Sequence, residues 1–410
     1  MRRGVALLLG VVIVAVTVAM FHPASAAPSA LHVQGNQLVA NGQTVTLHGV
    51  NMSGTEFVCA QNYTTDPFGG QPEDNPATFA AMKSWGVNAV RIPLNEDCWL
   101  NINGVEIGGT AYRTAIVKLV RDLEAAGLYV ILDEHWSAPG TQRALSQNPA
   151  PDEDHSPAFW SSVAGTFAAD SGVIFDLYNE PFFYWIQAGG PDAETCLWNG
   201  CTLTQYITGG SPYTVTANWL TAGFTQLTGD IRNAGASNVI MAAGVDWAND
   251  MSGWLAHAPS DPNTVASWHS YPGESCDTLA CWNTNVAPIA ARFPVVVGET
   301  GDSSAGPETY LPTFLPWADQ HGLSYLAWTW NAWLDANDVA VTNMTTGAPT
   351  AGEGAFYKAH LLGLGPPPPT PTPTVTPTPT GTLNLSETIH LHGHTCSISV
   401  AKGIVSGSCK

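Results

Sequence analysis

The sequence is poor in basic residues and in charge of either sign. Lysine and arginine total 13 against 33 acidic residues, which gives a formal net charge of −20. Because the phosphate backbone of DNA or RNA repels such a surface, nucleic-acid binding is excluded as the main activity, and a polyanionic substrate is disfavoured for the same reason. Hydrophobic residues make up 45% of the chain, so it can bury a large core and is not disordered.

Several catalytic signatures are also missing. The chain has neither the G-x-S-x-G turn of serine esterases nor the H-E-x-x-H helix of zinc hydrolases. No glycine-rich nucleotide loop follows the first predicted strand, and no second long apolar run follows the one at the N-terminus. These absences disfavour a serine esterase, a metallohydrolase, a nucleotide-binding sheet and, after removal of the N-terminus, a membrane protein.

The N-terminus has the pattern of a secretory signal. Arg2 and Arg3 precede the apolar run 5–20, and small residues of the A-x-A type follow at 24–27. The alternative is a membrane-anchoring helix, but the run is shorter than the roughly 20 residues that span a bilayer. We therefore predict that residues 1–26 are a signal peptide and that the protein is secreted and extracellular.

An oxidising compartment makes disulfide bonds the expected role of the eight cysteines. Eight cysteines allow 105 connectivities. Short spacings favour Cys196 with Cys201, Cys276 with Cys281, and Cys396 with Cys409. That choice leaves Cys59 to pair with Cys98, and both would follow early strands.

Composition divides the mature chain into three parts. Residues 27–364 form one large body, and 365–382 read GPPPPTPTPTVTPTPTGT, a semi-rigid polyproline spacer. Residues 383–410 form a small tail, which we expect to be stapled by a disulfide because so short a segment seldom folds without one. The tail contains no aromatic residue to stack on a polysaccharide, so its function is unknown.

Inside the body, short β-branched runs alternate with amphipathic stretches. Eight runs are predicted to be strands, and nearly continuous apolar sequence is typical of buried parallel strands: 45–49, 87–93, 128–133, 173–178, 238–243, 264–268, 294–297 and 323–328. Helices are predicted at 77–85, 114–127, 157–169, 217–233 and 311–321. Eight strand-then-helix units favour an α/β fold of the (β/α)8 TIM-barrel type, with a doubly wound open sheet as the alternative.

In such a barrel, functional side chains lie just beyond the carboxyl ends of the strands. Glu180 after the fourth strand and Glu299 after the seventh would then face each other across the barrel mouth. Paired carboxyl groups are what glycoside hydrolysis requires, one to protonate the leaving oxygen and one to attack or to activate water. The same rim supplies these candidate substrate-binding residues: Arg91, His135, Trp136, Asn179, His269, Tyr271, Trp328 and Trp330.

Two-residue spacing on an extended chain would place His269 beside Tyr271 and Trp328 beside Trp330, each pair on one side. A flat indole there could stack on a sugar ring. Taken singly, such histidines are more often satisfied core residues, and large aromatic side chains are more often packing than sugar platforms.

Seven motifs at the predicted strand ends resemble glycoside hydrolase family 5, the cellulase family of retaining (β/α)8 glycosidases. They stand in the family's order and cover nearly all of residues 31–364: LHGVNMSG, VNAVRIPLN, LDEHW, FDLYNEP, WHSYPG, VVVGETG and YLAWTWNAW. The resemblance implies double displacement without a metal or organic cofactor. It makes Glu180 the general acid/base and Glu299 the nucleophile, with Arg91 and Tyr271 hydrogen-bonding Glu299 to keep it ionised.

The same resemblance implies that Asn179 binds the sugar 2-hydroxyl. It implies that His135 and His269 orient the carboxyl pair, and that Trp328 forms the floor of the subsite for the reacting sugar. We predict a secreted, monomeric endo-β-1,4-glucanase acting on β-glucan. The alternatives are an endo-β-1,4-mannanase or another family 5 β-glycanase and, less favoured, a non-catalytic polysaccharide-binding protein.

Overall fold

A computed structural model describes residues 27–61, 65–207, 214–303, 305–306, 308–333 and 339–364, together with three C-terminal strands. The predicted signal peptide at 1–26 and the predicted spacer at 365–382 lie outside the described residues. The chain divides into two compact units, Met1–Thr372 and Pro373–Lys410. Among the described residues, no helix combines the length and apolar character that crossing a bilayer requires.

The first unit contains a closed barrel of eight parallel strands. The strands are β1 (His48–Asn51), β2 (Ala89–Asn95), β3 (Tyr129–Trp136), β4 (Val173–Asp176), β5 (Ile240–Ala243), β6 (Thr264–Ser270), β7 (Val295–Thr300) and β8 (Ser324–Ala327). Each strand pairs with the next, and β8 closes on β1. The prediction of a TIM barrel is confirmed, and all eight strands overlap the predicted runs.

Strand β3 shows how the apolar runs build two cores. Successive strand residues point to opposite faces, so Tyr129 and Ile131 pack inside the barrel, whereas Val130 and Leu132 pack outward under the helices. Both faces are apolar, which explains why the sequence shows no polar alternation there. Continued toward the carboxyl end, the inward positions become Asp133 and His135.

A small antiparallel sheet precedes the barrel, with strands His32–Gln34, Gln37–Ala40 and Gln43–Val45. Leu31, Leu38 and Leu47 are buried in the same cluster as the barrel interior. This sheet therefore covers the amino-terminal end of the barrel and leaves the carboxyl end as the open face.

Helices surround the barrel, and the described ones are Val58–Gln61, Pro76–Ser84, Glu96–Leu100, Thr110–Ala125, Ser156–Phe167, Ala193–Asn199, Phe224–Asn233, Leu279–Cys281, Ala287–Ala290, Leu311–Gln320 and Glu353–Gly363. A 3₁₀ turn spans Trp254–Ala256 and a π turn spans Trp282–Val286. The predicted helix at 217–233 is wrong in its first part. Thr214–Leu220 is a strand that pairs with Thr202–Ile207, and the helix begins only at Phe224.

This hairpin is part of the long segment that follows β4. Ala222 donates a backbone hydrogen bond to the Pro151 carbonyl, and Asp152 forms an isolated bridge with Thr221. The hairpin is therefore anchored to the segment between β3 and Ser156–Phe167. A further short pair, Val341–Asn343 with Ala348–Pro349, follows β8.

Three of the four proposed disulfides are present, namely Cys59–Cys98, Cys196–Cys201 and Cys276–Cys281. The first joins the short helices Val58–Gln61 and Glu96–Leu100, which follow β1 and β2 at the open face. In the second unit, Leu385–Leu391, His394–Ala401 and Ile404–Cys409 form an antiparallel sheet whose register places Cys396 opposite Cys409. The Cys396–Cys409 disulfide stays a prediction, because its side chains lie outside the described residues.

Candidate active site

The two predicted carboxyl groups meet at the open face of the barrel. One carboxylate oxygen of Glu180 and one of Glu299 lie within 4.8 Å of each other and of a ring nitrogen of His269. Glu299 lies within β7, and Glu180 follows β4 by four residues. The barrel brings these residues together although 119 positions separate them in the chain.

Arg91 is the fully buried centre of this group. Its Nη1 lies 2.7 Å from Oε1 of Glu299, its Nη2 lies 3.1 Å from Oδ2 of Asp133, and its Nε lies 3.1 Å from Oδ2 of Asp176. Burial opposes its charge, but these three carboxylates outweigh burial and raise the pKa of Arg91. Arg91 is therefore a permanent cation that fixes the position of the Glu299 carboxylate from inside the barrel.

Two asparagines complete the coordination of Arg91. Its Nη1 donates to Oδ1 of Asn51 at 3.1 Å, and its Nη2 donates to Oδ1 of Asn179 at 2.9 Å. Asn51 in turn donates to the Gly298 carbonyl at 2.9 Å, next to Glu299. Because its oxygen accepts from Arg91, the amide nitrogen of Asn179 is directed away from the guanidinium and can donate to another group.

The second oxygen of Glu299 accepts a hydrogen bond from the Tyr271 hydroxyl at 3.1 Å. Opposite it, Oε1 of Glu180 lies 2.9 Å from Nδ1 of His269. The same His269 nitrogen is 3.8 Å from Oε2 of Glu299. His269 therefore lies between the two carboxyl groups.

Gly298 makes room for His269. A Cβ atom at position 298 would lie 2.9 Å from Nε2 of His269, closer than side chains normally pack. The register between β6 and β7 also shifts between Trp268 and His269. Such an irregularity re-aims a side chain, and here the shift pairs His269 with Glu299.

Both histidines of the site are held neutral. Burial lowers the pKa of His269 to about 3, and burial also lowers the pKa of His135. Nδ1 of His135 lies 2.8 Å from Oδ2 of Asp133, so this nitrogen carries the ring proton and the other is an acceptor. The ring of His135 also stacks on Trp328, with centroids 5.6 Å apart.

The environment of Glu180 favours its protonated form. Burial is the main cause and raises the pKa of Glu180, against smaller opposing effects of the Gln147 hydrogen bond and the positive charge of Arg91. Gln147 lies 3.1 Å from Oε2 of Glu180. Glu180 can therefore keep a proton at a higher pH than an exposed glutamate.

Of the three tryptophans predicted to bind substrate, two lie at the open face and one lies in the core. Trp328 is half-buried and contacts His135. Trp136 is also half-buried, 6.2 Å from the ring of Phe57. The prediction that Trp330 binds substrate is wrong. Its side chain is fully buried, packs edge-on against Trp85 at 4.6 Å and donates to the Met344 carbonyl.

A second aromatic group lies next to Glu180. The ring of Trp247 stacks on Phe182 at 3.9 Å, and its indole nitrogen donates to the Tyr184 hydroxyl. That hydroxyl donates to Asp246 at 2.7 Å. Since the Trp247 backbone nitrogen donates to the Pro181 carbonyl, the group is attached directly to the chain that follows Glu180.

Sequence reasoning missed four polar residues of the site, namely Asn51, Asp176, Gln147 and, as a partner of Arg91, Asp133. Asn51 and Asp176 had a usable signal, because each ends a barrel strand as the recognised residues do. No sequence signal indicates Gln147, because it lies in a long segment without regular structure.

The cluster of Glu180, His269 and Glu299 has the atom types of a cation site. However, Arg91 and Tyr271 already donate to both oxygens of Glu299, so a cation there would face a guanidinium. We assign it no metal. The described residues contain a second cluster of this kind, Glu96, Asp152 and His155, in which the hydrogen bond to Asp152 raises the pKa of His155.

The sequence profile of the family described as Cellulase (glycosyl hydrolase family 5) matches residues 38–333. The mannan endo-1,4-beta-mannosidase of Cellvibrio japonicus is 24% identical over 340 residues, covering 80% of this chain and 65% of that protein. The endoglucanase of Clostridium saccharobutylicum is 23% identical over 324 residues, covering 78% and 60%. The chain thus spans less than two thirds of the length of either relative.

Among solved structures, the β-glucanase of Saccharophagus degradans in complex with cellotetraose superposes with a TM-score of 0.61. The identity is 20%, and the match covers 84% of this chain and 97% of that one. At this identity the likeness shows the shared barrel fold.

Proposed function

The chain belongs to glycosyl hydrolase family 5, and from that premise we propose that it is a secreted, retaining endo-β-1,4-glucanase acting on cellulose or soluble β-glucans. The observation that carries the proposal is that one carboxylate oxygen of Glu180 and one of Glu299 lie within 4.8 Å of each other. A retaining enzyme needs its carboxyl groups about 5–5.5 Å apart, whereas an inverting enzyme holds them about 6.5–9.5 Å apart to admit a water.

In the first step of the proposed mechanism, Glu299 attacks the anomeric carbon while Glu180 gives its proton to the departing oxygen. A covalent glycosyl-enzyme forms, and the leaving chain departs as an alcohol. In the second step, Glu180 removes a proton from water, which attacks the anomeric carbon and releases Glu299. The fixed hydrogen bonds of Glu299 and the burial of Glu180 support this division of roles.

The remaining roles follow from what each side chain can offer. Asn179 has its amide nitrogen free of Arg91 and would donate to the sugar 2-hydroxyl. Trp328, held flat against His135, would be the floor under the reacting sugar. Because residues 1–26 have the pattern of a signal peptide, we further propose that the enzyme acts outside the cell.

A mannan backbone is the second candidate substrate, since relatives of similar identity include both mannosidases and endoglucanases. The measurement that tests the proposal is release of reducing sugar, with product sizes, from carboxymethylcellulose, barley β-glucan, mannan and xylan by the purified mature chain. We expect internal cleavage of the glucans. Preference for mannan would keep the mechanism and change the substrate, whereas no release by folded protein would favour a binding protein.

The two tryptophans near the end of β8 should differ sharply when replaced. Trp330→Ala empties a fully buried site and should destabilise the fold by about 3–5 kcal/mol, with little change in the turnover of molecules that remain folded. Trp328→Ala should lower kcat/KM by about 10²-fold through lost sugar positioning. Thermal unfolding measures the loss of stability, and kinetics normalised to the concentration of active sites measure kcat/KM. If the two variants behave alike, the assignment of Trp330 to the core and Trp328 to the substrate site is wrong.

A further inference from the structure

The carboxyl group of Glu180 is held on both oxygens. His269 contacts Oε1 at 2.9 Å, and Nε2 of Gln147 donates to Oε2 at 3.1 Å. The same Gln147 nitrogen also donates to the backbone carbonyl of Glu180 at 2.9 Å. One amide nitrogen of Gln147 thus donates to both the backbone carbonyl and the side-chain carboxyl group of Glu180.

The backbone contact fixes the orientation of the Gln147 amide. A backbone carbonyl can only accept a hydrogen bond, so the group facing it must be the NH₂ and not the amide oxygen. That nitrogen can only donate, and Oε2 of Glu180 must therefore accept. Because a carbonyl oxygen is a stronger acceptor than a hydroxyl oxygen, the bond from Gln147 favours the form of neutral Glu180 that carries its proton on Oε1.

Gln147 is itself held firmly by its neighbours in the chain. Asn148 donates to the Ser137 carbonyl at 2.6 Å and accepts from the Tyr178 hydroxyl through its own carbonyl at 2.9 Å. The Pro149 carbonyl accepts from the Phe182 nitrogen at 2.8 Å. The residues on either side of Glu180, Tyr178 through its hydroxyl and Phe182 through its backbone nitrogen, are thereby joined to the segment that carries Gln147.

We propose that Gln147 is a positioning residue for the acid/base, holding Oε2 as an acceptor and directing the catalytic proton to Oε1. The inference rests on the proposed function, because it assigns to Glu180 the proton that the leaving group receives. Gln147 acts through Glu180 and does not contact the reacting atoms itself.

A hydrogen bond donated to Oε2 stabilises the carboxylate form, so Gln147 lowers the pKa of Glu180 and partly offsets the effect of burial. The charged and titratable groups that face Glu180 from the surrounding elements are Arg91, Asp133, His135, His269, Glu274 and Glu299. None of them is altered by replacing Gln147. A change in the titration of Glu180 can therefore be assigned to the lost bond.

The test compares Gln147→Leu and Gln147→Glu with wild type. Leucine removes the donor, and glutamate replaces it with a second negative group, so the pKa of Glu180 should rise in the order wild type, Leu, Glu. The alkaline limb of kcat/KM reports loss of the Glu180 proton and should move upward by about 0.5–1 pH unit for Leu and further for Glu. We expect kcat to fall about tenfold, with KM nearly unchanged.

Gln142→Leu is the matched control, because Gln142 lies in the same segment without a side-chain contact to Glu180 among the described residues. It should leave the pH profile at the wild-type position. If the alkaline limb of Gln147→Leu coincides with wild type, or moves to lower pH, the inference is overturned.

A second readout needs no turnover. The Glu180 carboxyl can be titrated by ¹³C NMR and assigned by its absence in Glu180→Gln. A higher midpoint in Gln147→Leu than in wild type supports the inference, and equal midpoints reject it. If wild type hydrolyses none of the polysaccharides, the proposed function fails while this titration still decides the role of Gln147.

Discussion

A Glu299→Ala variant should lose hydrolysis of β-glucan by about 10⁴-fold or more, since removing a nucleophile leaves only binding and acid catalysis. Glu299 receives the shortest hydrogen bond of Arg91, at 2.7 Å, and a second from Tyr271. Both donors hold its oxygens in place. Without it no covalent intermediate can form, so kcat should fall on activated aryl glycosides as well as on the polymer.

The fold should tolerate this change, because Arg91 keeps Asp133 and Asp176 as ionic partners. Azide is small enough to enter the vacated space, and it should restore turnover of an activated aryl β-glycoside with an α-glycosyl azide as product. Glu106→Ala, which removes an exposed acid, is the control and should keep wild-type rates. Turnover of Glu299→Ala equal to wild type would remove Glu299 from the mechanism.

The barrel and most of its active-site rim could be predicted because both depend on strand periodicity. Residues that end a buried strand must emerge at the open face, and in β3 the inward series from Tyr129 and Ile131 leads directly to Asp133 and His135. Parallel closure then brings distant strand ends together. The order of strands brings Glu299, within β7, and the chain that follows β4 and carries Glu180 to the same open face.

The position of Trp330 could not be predicted from strand periodicity. A spacing of two residues places side chains on one face only while the chain is extended, but β8 ends at Ala327, before Trp328. The chain leaves the strand geometry there, so Trp328 lies on His135 and Trp330 packs on Trp85. Periodicity carries no information beyond the last strand residue.

Two other features depend on contacts between segments that are distant in sequence. Local composition predicts a helix at 217–220, but cross-strand pairing with Thr202–Ile207 makes these residues a strand. Local composition does not reveal the pairing partner. Gln147 reaches Glu180 only because Asn148 and Pro149 are hydrogen-bonded to Tyr178 and Phe182, in the chain that follows β4. Such irregular segments are set by tertiary hydrogen bonds.

Glu180→Gln should separate substrates by the quality of their leaving group. Glutamine keeps the shape of the side chain but cannot give a proton, so hydrolysis of β-glucan, whose leaving alcohol needs protonation, should fall by about 10³-fold. An aryl glycoside with an acidic phenol departs unaided, and the rate of its first step should stay within about tenfold of wild type. Equal losses on both substrates would contradict the acid role.

The raised pKa of Glu180 also predicts the direction in which activity changes with pH. Burial raises the pKa of Glu180, so wild type keeps the acid form above the ordinary carboxyl range and loses activity as the pH rises through the shifted pKa. In Glu180→Gln that titrating group is gone, and the alkaline limb should disappear from the aryl-glycoside profile of the first step. An alkaline limb that persists unchanged in the variant would mean that another group, and not Glu180, supplies the proton.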